Sequence, residues 1–365
     1  MNARARLLTL GLALSVLSLS SPTEAFIPSG FLPRKETQTR LSWGGVYHRV
    51  DGITPNGAVT VHYVMLDAVR FRPAVALPSS GMGTVIPLVE MVREMNAFVG
   101  LNANFFDPPS GLPIGFLLKD GRVLNTPYAS RATLAVGFFG ELHFMNPRIS
   151  LVLRTPQGPI PIDGINRPAY GDAIIVYTPE YAGPRGFWSR ARIVSVQGNR
   201  IISISSNGSA RLLSRDGYWI VATGSAQARL ANLLPAERVQ VDYIMDPERY
   251  FVRDALQAGP MLLQEGQIAL TPEGFSMNVL QQPAARSALA LTGDGALILA
   301  LVTRGNGSVG MTLWELAEYL RTLGALDALA FDGGGSSSLV FQDGVRLRTL
   351  GSTRQIPVGL VFLRR

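Results

Sequence analysis

Residues 296–341 read ALILALVTRGNGSVGMTLWELAEYLRTLGALDALAFDGGGSSSLVF. Three elements are legible in this stretch. ALILALVT (Ala296–Thr303) is a continuous apolar run of strand length, the pattern of a strand buried on both faces. TLWELAEYLRTLG (Thr312–Gly324) is a helix with both ends marked. Thr312 and Glu315 have capping-box spacing, and Gly324 suits the left-handed residue after the last turn. DALAF (Asp327–Phe331) is a second buried strand. Such a strand–helix–strand unit is expected to hold its two strands parallel in one sheet. The second strand runs into Asp332, three glycines and three serines, and then into a hairpin through QDGV (Gln342–Val345).

Gly305, Gly307 and Gly310 spell G-x-G-x-x-G between the first strand and the helix. A dinucleotide site needs the helix to open within those glycines, so that its N–H groups face the pyrophosphate. Here the cap signal starts the helix at Leu313, after the last glycine. The glycines read instead as a loop at a site rim. No G-x-x-x-x-G-K-[ST] loop exists, which removes support for nucleoside-triphosphate chemistry.

Outside this unit, turn signals dominate. KDGR (119–122), QGNR (197–200), SNGS (206–209) and RDGY (215–218) each read as a hairpin turn. The 150–250 stretch is therefore a β-rich section. TVIPLVEMVREMNAF (Thr84–Phe98) is a helical pattern, with Val85, Leu88, Val89, Val92 and Met95 on one face and Thr84 as its cap. Residues 26–58 open with an aperiodic Pro-, Thr- and Arg-bearing segment and read as an N-terminal arm. VTVHYVMLD (Val59–Asp67) begins the folded domain, which runs to residue 365. The fold class is α/β (α+β): a strand-rich mixed sheet with a few helices and the C-terminal strand–helix–strand unit.

Residues 1–25 read as a signal peptide. Arg4 and Arg6 precede the apolar LLTLGLALSVLSLS, and TEA (Thr23–Ala25) puts small residues at the two positions a signal peptidase reads, which predicts cleavage after Ala25. The protein is expected to be exported, to a periplasm or beyond the cell, with an uncleaved anchor as the alternative. No later run is long enough to cross a bilayer as a helix. The chain has no cysteine, which excludes disulfides, thiolate metal sites and a cysteine nucleophile. With 47 % hydrophobic residues it can bury a sizeable core without them. The net charge is +7, and loss of the leader's two arginines and one glutamate leaves +6. No run of five basic residues exists, so a nucleic-acid face is not expected.

The chemistry candidates sit in four places. Asp332-Gly333-Gly334-Gly335-Ser336-Ser337-Ser338 puts a carboxylate at a strand end. Beside it are backbone N–H groups free to form an anion-binding concavity and hydroxyl donors. GLNANFFDPPSGLPIG (Gly100–Gly115) offers Asn102 and Asn104 on one face of a strand end, with Phe105 and Asp107 beside them. QAGPMLLQEGQ (Gln257–Gln267) turns at Gly259-Pro260. PAARSALALTGDGAL (Pro283–Leu297) places a lone Arg286 before an apolar strand, where an anion clamp and a surface cation are equally open readings.

Taken together, NANFF (102–106), AGPML (258–262), ARSAL (285–289) and FDGGGSSSL (331–339) resemble the motifs of the phosphodiester glycosidase family. That family includes the lysosomal enzyme that uncovers mannose-6-phosphate by removing N-acetylglucosamine. The similarity spans roughly residues 60–363. Ala103 and Asn104 stand where the family has two glycines, Ala258 replaces a glycine, and Ser287 replaces a threonine. The resemblance implies hydrolysis of a sugar-1-phosphodiester at the anomeric bond, and the export reading makes an envelope or extracellular glycan the expected substrate. Asp332 is then the base or nucleophile, with Arg286 and Asn104 as the other catalytic candidates. Gly333, Gly334 and Gly335 would hold the departing phosphate, and Asn102, Phe105, Asp107, Gly259, Ser336 and Ser337 would bind the substrate. The alternative is a non-catalytic binder of envelope polysaccharide that uses the same loop. His48, His62 and His143 show no ligand spacing, so zinc is not expected. No cofactor is implied, while calcium at Asp332 or Asp107 stays open because oxygen sites leave no spacing signature.

Overall fold

The computed structural model describes residues 30–182, 187–188, 190–209, 216–246 and 252–365. The expected signal peptide lies outside the described residues. Among the described residues, no helix is long and apolar enough to cross a membrane.

Two sheets form the body of the molecule. The larger has eight strands, in the order Leu32–Arg40, Val46–Thr54, Gly57–Asp67, Ala296–Val302, Arg286–Thr292, Ala325–Ala330, Met261–Gln264 and Gln267–Ile268. Every neighbouring pair in it is antiparallel. The smaller has five strands, in the order Arg346–Gly351, Ser338–Asp343, Val99–Asn102, Gly359–Arg364 and Phe71–Ala76, again antiparallel throughout.

The strand Ala296–Val302 shows why the two sheets stack. Its side chains alternate, and both sets are apolar. Leu297, Leu299 and Leu301 enter the core between the sheets, while Ile298, Ala300 and Val302 enter a second core on the outer face. The helix Leu313–Thr322 covers that outer face with Leu313, Leu316, Ala317 and Leu320. The smaller sheet repeats the logic. Leu360 and Phe362 face the central core, and Val361 faces the helix Leu88–Glu94. Gly100 lets that helix approach: a Cβ there would lie 2.4 Å from Val92 Cγ2. The body is thus a helix–sheet–sheet–helix stack.

The marked helix has the ends its sequence assigns it. Thr312 Oγ1 accepts from Glu315 N–H (3.1 Å), and Glu315 Oε2 accepts from Thr312 N–H (2.7 Å). Gly324 has φ +86°. The flanking strands Ala296–Val302 and Ala325–Ala330 run in the same direction, but Arg286–Thr292 lies between them, antiparallel to both. Residues 32–40 and 46–54 form the edge of the large sheet, each with backbone partners on a neighbouring strand. One expectation fails at the first helix. Thr84 does not cap the helix that follows. Ile86–Pro87 pairs with Gln355–Ile356 instead, and the helix starts at Leu88 behind Pro87.

The β-rich section forms a five-stranded sheet from Gly164–Ile165, Ile174–Tyr177, Gly217–Thr223, Ala191–Gln197 and Arg200–Ser205. Its core merges Ile174, Val176, Val194 and Ile220 with Phe116, Leu118 and Ala255. KDGR, QGNR and QDGV are hairpin turns. SNGS is not, since Gly208–Ser209 pairs with Phe187–Trp188. RDGY begins outside the described residues.

Candidate functional site

The acid–glycine–serine loop is the crossing between the two sheets. Ala325–Ala330 delivers Phe331 and Asp332 to the edge of the large sheet. One tight turn, Gly334–Ser336, then passes the chain to Ser338–Asp343 of the smaller sheet. The crossing is pinned to three other segments. Phe331 N–H donates to the Ser287 carbonyl (2.8 Å), Asp332 N–H to the Ala103 carbonyl (3.0 Å), and Gly334 N–H to the Ala285 carbonyl (2.8 Å).

Asn102 braces it. Its Nδ2 donates to the Asp332 carbonyl (2.6 Å), while Oδ1 accepts from the Ser287 hydroxyl (2.7 Å) and from Ser338 N–H (2.9 Å). The residue is fully buried, and its amide is spent inside the protein. Asn102 therefore holds the loop in place. Asn104 is equally buried. Its Nδ2 donates to the Gln257 carbonyl (2.8 Å), and its Oδ1 has no partner among the described residues.

Arg286 resolves its two open readings: it is 5 % exposed and no surface cation. Its Nε donates to the Met311 carbonyl (3.0 Å), and one Nη donates to the carbonyls of Val279 and Gln282 (both 2.7 Å). The other Nη makes none of these bonds and lies on the Gly333 side, 3.7 Å from where a Gly333 Cβ would stand. Burial pushes its pKa down to about 10, opposed by Glu315, so it stays a cation at neutral pH.

Asp332 is half-buried at the crossing. Burial is the largest influence and pushes its pKa up to about 6, against the hydrogen bond from Ser336, the charge of Arg354 and the Gly333 N–H. A carboxyl whose pKa is raised toward neutrality is the electrostatic pattern of a working acid or base.

These parts share one pocket of about 260 Å³, lined among others by Phe105, Gly259, Pro260, Arg286, Asp332 and Gly333. It therefore brings together residues from all four sequence segments. Gly259 has φ +96°, and a Cβ there would meet Glu273 Oε2 at 2.5 Å, so only glycine fits. Three expected residues, Asp107, Ser337 and Gly335, lie elsewhere. Asp107 is exposed, and its carboxylate accepts from Ser110 N–H (3.2 Å) and Ser110 Oγ (2.6 Å), closing a surface turn. Ser337 lines a different pocket on the far side of the loop, together with Gly335. Of the glycine N–H groups, that of Gly334 is committed to Ala285, and that of Gly333 to the Asp332 carboxylate.

Three further residues near the site carry no sequence signal. Arg354 approaches the crossing from the smaller sheet's side, 3.8 Å from a Gly335 Cβ position and 4.9 Å above the Phe106 ring. Glu273 lies under the Gly259-Pro260 turn, its carboxylate accepting the N–H groups of Ala132 (2.7 Å) and Met261 (2.8 Å), with its pKa raised by burial. Arg131 is stacked among Phe275, Tyr128 and Phe105, at 3.9, 4.4 and 5.5 Å from their centroids. No local motif marks any of them, since each acquires its place by a long-range contact. Among the described residues, no group of three or more His, Asp or Glu side chains is placed to hold a metal ion.

Comparison with known proteins agrees with the motif reading. Residues 190–363 match the model of the phosphodiester glycosidase family. The match takes in the Gly-Pro turn, Arg286 and the Asp332 loop, and leaves NANFF outside it. The chain is similar to a hypothetical protein of Synechocystis (TM-score 0.75, 25 % identity), over 91 % of this chain and 64 % of that one. It therefore spans less than two thirds of that relative's length. It is similar in fold to a protein of Burkholderia pseudomallei K96243 inferred to be exported (TM-score 0.66, 21 % identity, 84 % of this chain and 74 % of that one). The catalytic domain of zebrafish N-acetylglucosamine-1-phosphodiester alpha-N-acetylglucosaminidase, auto-inhibited by its pro-peptide, shares the fold at TM-score 0.50 and 14 % identity, over 92 % and 89 % of the two chains. No curated protein matches the chain.

Proposed function

We propose, from the phosphodiester glycosidase match over residues 190–363, that the protein is an exported hydrolase cleaving a sugar-1-phosphodiester at the bond between the anomeric carbon and phosphate. The observation that carries this reading is the shared pocket. It joins a half-buried carboxyl near neutrality to a buried, charged arginine. The apolar leader and the inferred export of the Burkholderia neighbour support the export half, and an envelope or extracellular glycan is the natural substrate for such a location.

Asp332, in its ionised form, is the base that activates water or the nucleophile that attacks the anomeric carbon. A phosphate monoester is a good leaving group, so one carboxylate suffices without a strong general acid. Arg286, through its remaining Nη, and Arg354 offset the charge on the departing phosphate. Ser336 orients Asp332 by donating to it. Asn102 holds the loop, and the buried Asn104 holds the Phe105 segment against Gln257. Phe105 offers an apolar face to the sugar ring.

The test is release of sugar and phosphate monoester from a panel of sugar-1-phosphodiesters, beginning with the N-acetylglucosamine ester, by wild type and Asp332→Asn. Release by wild type alone supports the assignment. Full release by the variant sinks Asp332 as the centre. Binding without release by wild type replaces the hydrolase with a glycan-binding protein.

A further inference from the structure

The crossing loop has a second side. Its crest, Gly334–Gly335, also walls a larger pocket of about 430 Å³. This pocket is lined by Arg49, His62, Arg304 and Ser337, and by the loop Thr303–Asn306 that begins the unassigned G-x-G-x-x-G stretch. Gly334 borders both pockets, and Ala285 lines this one while its neighbours Ala284 and Arg286 line the other. A ligand lying across Gly334 would therefore reach both.

The second pocket is basic and incompletely satisfied. Arg304 is exposed and has no hydrogen-bond or ion-pair partner among the described residues. Arg49 binds Asp51 through Nε and Nη2 (3.2–3.3 Å), leaving Nη1 outside that pairing. Asp51 also accepts from Thr60 Oγ1 (2.8 Å), so it is already shared. His62 is bonded to Tyr47 Oη through Nδ1 (2.8 Å), and its burial favours the neutral ring. The Ser337 hydroxyl, on a residue only 1 % exposed, is buried without a partner among the described residues. Two arginines against one shared carboxylate leave an uncompensated positive field, and such a field favours an anion.

We propose that this pocket is a second anion subsite, in which Arg304 receives a negatively charged group on the aglycone of the phosphodiester while the sugar occupies the Asp332 pocket. The inference rests on the hydrolase reading for the order of the two halves. The anion is a carboxylate or a second phosphate. Arg304 is a specificity residue here, since it lies across the crest from the reacting atoms.

The experiment uses three esters of N-acetylglucosamine-1-phosphate with methyl, carboxymethyl and 2-phosphoethyl aglycones. Hydrolysis of the methyl ester by wild type tests the underlying reading alone, and its absence overturns that reading. The subsite is read separately, by calorimetric affinity on Asp332→Asn, with and without Arg304→Gln. One or both charged esters are expected to bind about fivefold tighter than the methyl ester, the scale of a partly exposed ion pair. The preference should collapse with Arg304→Gln and weaken with salt. A preference for only one charged ester names the anion as carboxylate or phosphate. Equal affinities for all three esters, no binding of any, or a preference that survives Arg304→Gln overturns the subsite.

Discussion

The two pockets flanking Gly334 differ in how they are made. In the Asp332 pocket the charged group is sunk into the fold: Arg286 is tied to three backbone carbonyls, and Asp332 is pressed toward neutrality by burial. Across the crest, Arg49 and Arg304 stand on the surface, and Arg304 is tied to nothing among the described residues. A buried charge is costly unless its environment is fixed in advance, and that fixed environment is what catalysis needs. An exposed charge is cheap and screened, which suits discrimination between ligands. Substitutions should therefore cost activity and alter stability on one side of the crest, and change only preference on the other.

The largest effect expected is that of Asp332→Asn. Under the proposed hydrolysis it should lower kcat/KM by about 10³-fold, measured as phosphate-monoester release. Its stability should move the other way. The native carboxyl titrates at about 6 and the unfolded one at its ordinary 3.8, so the native state binds the proton more tightly. Stability tied to this group is present below pH 4 and is lost as pH rises through about 6, by about 2–3 kcal/mol. The asparagine variant should therefore melt higher than wild type at pH 8 and with it at pH 4. A variant that melts lower at both values would show that Asp332 is a structural anchor.

Arg286→Met should rank second. It leaves the carbonyls of Val279, Gln282 and Met311 without their donor and should cost about 3 kcal/mol in denaturant unfolding, together with most of the activity. Stability close to wild type would break the contrast between the two pockets. Next is the pH profile. The acid limb of kcat/KM should fall below about pH 6 as Asp332 protonates, and Ser336→Ala should move that limb upward, because the serine's bond favours the ionised form. The smallest effect belongs to Thr312→Ala. It removes half of a capping box at the start of the helix that carries Leu313 into the pocket, and should cost about 1 kcal/mol with little change in turnover.

The helix and its caps could be read in advance because they depend on residues three or four apart. The alternating strands follow from the same kind of local rule. NANFFD (102–107) is harder to read, since neighbouring residues of it are used differently in the fold. Asn102 is consumed as a brace, Asn104 is held by Gln257, Phe105 reaches the pocket, and Asp107 turns out to solvent. Alternation along a strand says which side a residue faces, not which segment waits there.

By itself the sequence determined a strand-rich fold without disulfides, the capped helix, and an acid at a strand end followed by a glycine crossing. Those are consequences of composition and short-range spacing. Tertiary structure decided that the crossing joins two sheets and that Arg286 is buried. It also brought Arg354 and Glu273 to the site from other segments and gave one loop a pocket on each side. These depend on contacts between residues far apart in the chain, and such contacts leave no local pattern to read.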